Sequence, residues 1–114
     1  MAPAQAQVTV FHGRLDSEQY DAIIDAASSA FRGAVKRDAA QRYLKAVHDQ
    51  AGACAVPARP VSSFMNSNTS GTTVRLQYYL QCSKGPLNEV ITFTVEDGAP
   101  RLSNYQASVP FVLK

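Results

Sequence analysis

Thr72-Thr73-Val74-Arg75-Leu76-Gln77-Tyr78-Tyr79-Leu80-Gln81-Cys82-Ser83 decides how this chain is read. Val74, Leu76, Tyr78, Leu80 and Cys82 fall at every second position, with Arg75, Gln77, Tyr79 and Gln81 between them. Side chains of a strand alternate between two faces, so this spacing predicts a half-buried strand over 72–83. Upstream, Asn68-Thr69-Ser70-Gly71 reads as a turn, and residues 61–66 as a strand weakened by serines. Downstream, Ser83-Lys84-Gly85-Pro86 turns the chain into a third strand over 88–96. There Ile91, Phe93 and Val95 face inward, and Val90, Thr92 and Thr94 outward. Asp97-Gly98 is a hairpin signal, and a fourth strand follows over 101–107.

Before residue 57 the period is that of a helix. Asp16 with Gln19 resembles a capping box, and Tyr20, Ile23, Ile24, Ala27 and Phe31 line one face as far as Arg32-Gly33. Asp38 opens a second helix, with Ala40, Tyr43, Leu44, Val47 and Ala51 on its apolar stripe and Gly52 as its stop. Ahead of both, Val8-Thr9-Val10-Phe11-His12 reads as a short extended segment ended by Gly13. Helices followed by a meander give an α+β domain: two N-terminal helices packed on a four-stranded antiparallel sheet. The division is an N-terminal extension over 1–15, a single domain over 16–107 and an apolar C-terminal arm over 108–114.

A chain of 114 residues suits one domain. Its 11 basic and 9 acidic residues leave a net charge of +2, spread without a basic stripe, which argues against nucleic acid. With 46 % hydrophobic residues it is too apolar to be disordered. No apolar run approaches the roughly 20 residues of a membrane span. Ala2-Pro3-Ala4-Gln5-Ala6-Gln7 reads either as what remains after signal-peptide removal or as a frayed terminus. Cys54 and Cys82, the two cysteines, suit one disulfide in an oxidising compartment, the alternative being two buried thiols. A periplasmic or secreted protein is the expectation.

Glu18-Gln19-Tyr20-Asp21, Tyr43-Leu44, Gly52-Ala53-Cys54, Val74 to Tyr78, Glu89 to Phe93 and Asp97-Gly98 together resemble a family of small secreted bacterial proteins. It is a domain-of-unknown-function family with a cystatin-like fold, akin to nuclear transport factor two-like domains. The resemblance covers about residues 16–107 and implies a curved sheet wrapped around the helices. It implies either a pocket between the two layers or a sheet face used for pairing, and no catalytic residue. Some small secreted proteins of this build are immunity proteins against antibacterial effectors, which suggests a class of partner. The tryptophan usual before the family's last strand is replaced here by Pro100-Arg101-Leu102.

No catalytic constellation emerges from the residues. Asp21 and Asp25 share one helix side but oppose the apolar stripe, and Glu89 and Glu96 fall on opposite strand faces. His48 suits the C-terminal end of its helix, and no His or Cys spacing fits a metal, so no metal and no cofactor are expected. The outward face is the informative surface: Arg75, Gln77 and Tyr79 beside Thr92 offer the residue types favoured at binding hot spots. The expectation is a non-enzymatic, exported module that binds a protein, or a second copy of itself as a homodimer, through that face. The alternative is a small-ligand carrier with a pocket lined by Tyr43, Tyr78, Phe93 and Tyr105.

Overall fold

The computed structural model describes residues 2–57, 59–69 and 71–108. Four helices come first: α1 (Ala2–Asp16), α2 (Tyr20–Asp25), α3 (Ser29–Ala34) and α4 (Arg37–Ala51). Five strands follow: β1 (Cys54–Ala55), β2 (Ser62–Asn68), β3 (Gly71–Cys82), β4 (Gly85–Glu96) and β5 (Ala99–Ser108). All pairings are antiparallel. The expected two helices on a curved four-stranded sheet are therefore corrected to four helices and an open five-stranded sheet.

The first correction lies in α1, where an extended segment was expected over 8–12. Ala4, Val8, Phe11 and Leu15 recur at four, three and four residues, and all are buried. Burying Val8, Phe11 and Leu15 contributes about 1.5–3 kcal/mol each. The poor helix propensity of Val8-Thr9-Val10 costs at most about 0.7 kcal/mol per residue, so packing wins. The stretch expected as an extension over 1–15 thus holds a core helix. Its end also changes the role of Asp16, which closes α1 instead of opening a helix. Glu18 takes a left-handed φ of 59°, Glu18 N–H donates to Leu15 O, and Gln19 N–H donates to Arg14 O. This is the Schellman stop, made here without glycine.

The single helix expected from Asp16 to Gly33 is broken in two. Ser28 caps α3 by accepting the Phe31 N–H at 3.1 Å, while its own N–H donates to Leu102 O at 2.8 Å. Glu96 takes the next N–H, that of Ser29, at 3.1 Å and the Ser29 hydroxyl at 2.9 Å. The serines thus find better partners across the sheet than inside a continuous helix. On α4 the stripe Ala40, Leu44, Val47 and Ala51 is buried, and Tyr43 stays exposed.

In the sheet β3 is central. One side pairs with β4 along its length; the other pairs with β2 over Gly71 to Gln77 and with β1 at Gln81 and Cys82. The fifth strand is too short to leave a periodic signal in sequence. It sits where Cys54 faces Cys82, their sulfurs 2.02 Å apart in a disulfide. Asp97 and Gly98, both at positive φ, make the two-residue turn between β4 and β5. Val74, Leu76, Tyr78, Leu80, Leu87, Ile91 and Phe93 point inward under the helices, whereas Val95, expected inward, is exposed near the end of β4. Of the arm expected over 108–114, Ser108 ends β5 and the rest lies outside the described residues.

Candidate functional site

The helices pack on one side of the sheet, and three rows of side chains cross the other. Turn length sets these rows. A two-residue turn at Ser83-Lys84 puts Arg75 opposite Thr92, Gln77 opposite Val90 and Tyr79 opposite Asn88. The turn between Asn68 and Gly71 puts Phe64 opposite Arg75 and Ser62 opposite Gln77. With β5 added, the first row reads Phe64, Arg75, Thr92, Asn104 and the second Ser62, Gln77, Val90, Gln106. The third joins Tyr79 to Asn88 and Ser108.

Arg75 lies over the Phe64 ring, its guanidinium carbon 5.6 Å from the centroid. This cation–π contact orients a side chain that would otherwise be free in water. Phe64 is 55 % and Tyr79 44 % exposed. Between the first two rows a shallow depression of about 190 Å3 is lined by Ser62, Arg75, Gln77, Val90 and Gln106. The four residues singled out in sequence, Arg75, Gln77, Tyr79 and Thr92, therefore share one face of two neighbouring strands. Phe64 was missed; its signal was the short turn that sets it against Arg75.

A second concavity lies between α3, α4 and β5. It measures about 390 Å3, and its walls include Phe31, Val35, Tyr43, Leu44, Tyr105 and Gln106. No charged side chain lines it. Tyr43 and Tyr105 meet edge to face at 6.1 Å, and the Tyr43 hydroxyl accepts the Ala107 N–H at 2.9 Å. Of the four residues expected around a pocket, the structure brings Tyr43 and Tyr105 together here. Tyr78 and Phe93 are elsewhere in the core, filling space rather than lining the groove.

Behind Tyr105 sits a polar cluster that the sequence reading overlooked. Glu89 is 0 % exposed on the inner face of β4. One carboxylate oxygen accepts from His12 Nε2 at 2.6 Å, the other from the Tyr105 hydroxyl at 2.5 Å. Burial and the facing Glu89 carboxylate push the Tyr105 phenol well above its usual range, so it holds its proton. His12 is 2 % exposed, and no substrate could reach the trio without displacing Tyr105 or α1. What the cluster does in this geometry is tie α1, β4 and β5 together. Its signal was present: Glu89 has the parity of Ile91 and Phe93, and His12 follows Val8 by one helical turn.

The carboxylates of Asp21 and Asp25 are engaged differently. Arg37 Nη1 donates to Asp21 at 2.9 Å and Nη2 to Asp25 at 2.5 Å, bridging α2 and α4 at the surface. That hydrogen bond, with another from Gln41, holds the Asp21 carboxyl below its ordinary range. Glu96, on the far end of β4, serves the start of α3. His48 lies in the last turn of α4. Among the described residues no cluster of His, Cys, Asp and Glu could hold a metal, and no helix is long and apolar enough to cross a membrane. No family model matches the chain, and no curated protein does.

Proposed function

We propose that this chain is a non-enzymatic protein-binding module that works in an oxidising compartment, through the outer face of β3 and β4. The observation that carries the reading is the row arrangement of Arg75, Gln77, Tyr79 and Thr92 on a face left bare by the helices. Tyrosine supplies a large contact area at little entropic cost and arginine supplies charge-assisted hydrogen bonds, and both are enriched at hot spots. Arg75 is already oriented by Phe64. The Cys54–Cys82 disulfide suits the periplasm or the extracellular space. An antibacterial effector, blocked by a small exported inhibitor, is the class of partner that the family resemblance suggests.

The test is affinity capture from the native host with wild type and with Arg75→Ala and Tyr79→Ala. A stoichiometric protein partner held by wild type should bind Tyr79→Ala more weakly by at least about 1 kcal/mol in calorimetry. A partner held equally by wild type and both variants would remove this face from the interaction.

The second reading, a small-ligand carrier, is favoured by the groove of about 390 Å3, which is within the range of ligand pockets. Its lining suits a flat, uncharged, mostly apolar molecule. We rank it second because the hydroxyls of Tyr43 and Tyr105 are already committed to Ala107 and Glu89. Only the amides of Asn104 and Gln106 remain to orient a ligand.

A further inference from the structure

β2 pairs with β3 along one side, and among the described residues no strand lies along its other side. All seven of its residues are exposed. The unpaired N–H and C=O groups of such an edge pair readily with another extended chain, and proteins blunt them with charge, proline, bulges or cover. Ser62-Ser63-Phe64-Met65-Asn66-Ser67-Asn68 has none of these: no charged residue, no proline and an unbroken register with β3. Its centre is apolar on both sides, with Phe64 on the outer face and Met65, 53 % exposed, on the face of Val74.

We infer that β2 is a homodimer interface, where two copies of this chain pair antiparallel about a two-fold axis near Met65 and join their sheets edge to edge. The choice of a second copy follows from what self-pairing does to the side chains. With the axis at Met65, Ser63 meets Ser67 of the other copy, Phe64 meets Asn66, Ser62 meets Asn68 and Met65 meets itself. Like charges directly opposite one another destabilise a strand pair, and this strand carries none to oppose. It also offers no charge by which an unrelated partner could be selected. The two Phe64 rings become diagonal neighbours, about 7–8 Å apart at the backbone and within reach of each other. The two Arg75 side chains stay three strand spacings apart, about 14 Å, beyond the Debye length at physiological salt. Two-fold dimers are the commonest closed assembly, and this edge is self-complementary in the way they require. The inference does not rest on the proposed function, because backbone groups of the edge carry the pairing, although Phe64 borders both surfaces.

Sedimentation equilibrium of the full chain across a concentration series tests it. Wild type should sediment at twice the 12.3 kDa chain mass. Met65→Lys and Met65→Glu, which set like charges beside each other at the axis, should each sediment as monomers. An equimolar mixture of the two should regain the dimer, since lysine then meets glutamate. Met65 is exposed, so an unchanged far-UV circular dichroism spectrum and a cooperative melt will show that both variants fold. A wild type that stays monomeric, a dimer that survives Met65→Lys, or a mixture that fails to reassociate would each overturn the inference. So would a dimer lost in Tyr79→Ala but kept in Met65→Lys, which would move the contact to the outer face.

Discussion

β5 and β2 close the sheet on opposite sides and are built by opposite rules. On β5, Leu102 and Tyr105 are buried beneath helices, a register shift opposite Thr92 and Phe93 kinks the strand, and Pro100 and Arg101 stand near its start. On that side the Glu89 carboxylate is buried with both of its oxygens hydrogen-bonded, to His12 and Tyr105. β2 has no helical cover, no charge and no bulge, and among the described residues no strand lies along its side away from β3. The helices pack on one side of the sheet only. Stability is concentrated where they lie, and surface available for binding where they do not.

Breaking the covered side should have the largest effect. Glu89→Ala leaves the His12 and Tyr105 donors buried without an acceptor, and should cost about 3–5 kcal/mol in denaturant unfolding. Tyr79→Ala and Arg75→Ala, on the bare face, should stay within about 0.5 kcal/mol of wild type in the same assay. Equal losses on the two sides would erase the contrast. Next comes the staple between β1 and β3. Cys54→Ser with Cys82→Ser frees a loop spanning a sequence separation of 28, worth about 3–4 kcal/mol in the chain-entropy model.

The covered side should also show itself at alkaline pH. Tyr105 keeps its proton in the folded chain when the unfolded one, with an ordinary phenol, loses it. Stability from this group is whole below about pH 10 and lost as pH climbs through its raised folded value, at up to about 1.4 kcal/mol per pH unit. Tyr105→Phe should flatten that slope; an unchanged slope would mean that the phenol does not sense Glu89.

Smaller effects belong to the connections between helices. Glu18 holds a left-handed conformation that glycine adopts freely, so Glu18→Gly should raise stability by about 1 kcal/mol. The least energetic test is a titration. Arg37 keeps the Asp21 carboxyl low, so the contribution of this pair is present above the ordinary carboxylate range and fades as pH falls through it. In Arg37→Ala the Asp21 carboxyl should titrate upward, closer to its usual value, by NMR.

The strand half of this fold was legible because its signals are local. Alternation in β3 and β4 gives the faces, and two-residue turns fix Arg75 beside Thr92 and Phe64 beside Arg75. The helical half depends on packing that no window of sequence displays. Val8-Thr9-Val10-Phe11 looks extended because its buried spacing is overlaid by Val10, which stays at the surface. Ser28 and Ser29 break a helix because their partners, Leu102 and Glu96, arrive from the far end of the chain. The groove exists only because of that break, since α3 forms one of its walls. Tyr78 and Phe93 could not be placed away from it without knowing where α1 lies.

The proposed function puts binding on the bare outer face and not in the groove. Native mass spectrometry of chain isolated gently from its host tests this most directly, with Tyr79→Ala run beside wild type. Wild type should carry a second, different polypeptide in whole-number ratio, and Tyr79→Ala should carry less of it. A small-molecule excess mass on both chains, with no polypeptide partner on either, would contradict it and assign function to the groove beside Tyr43 and Tyr105.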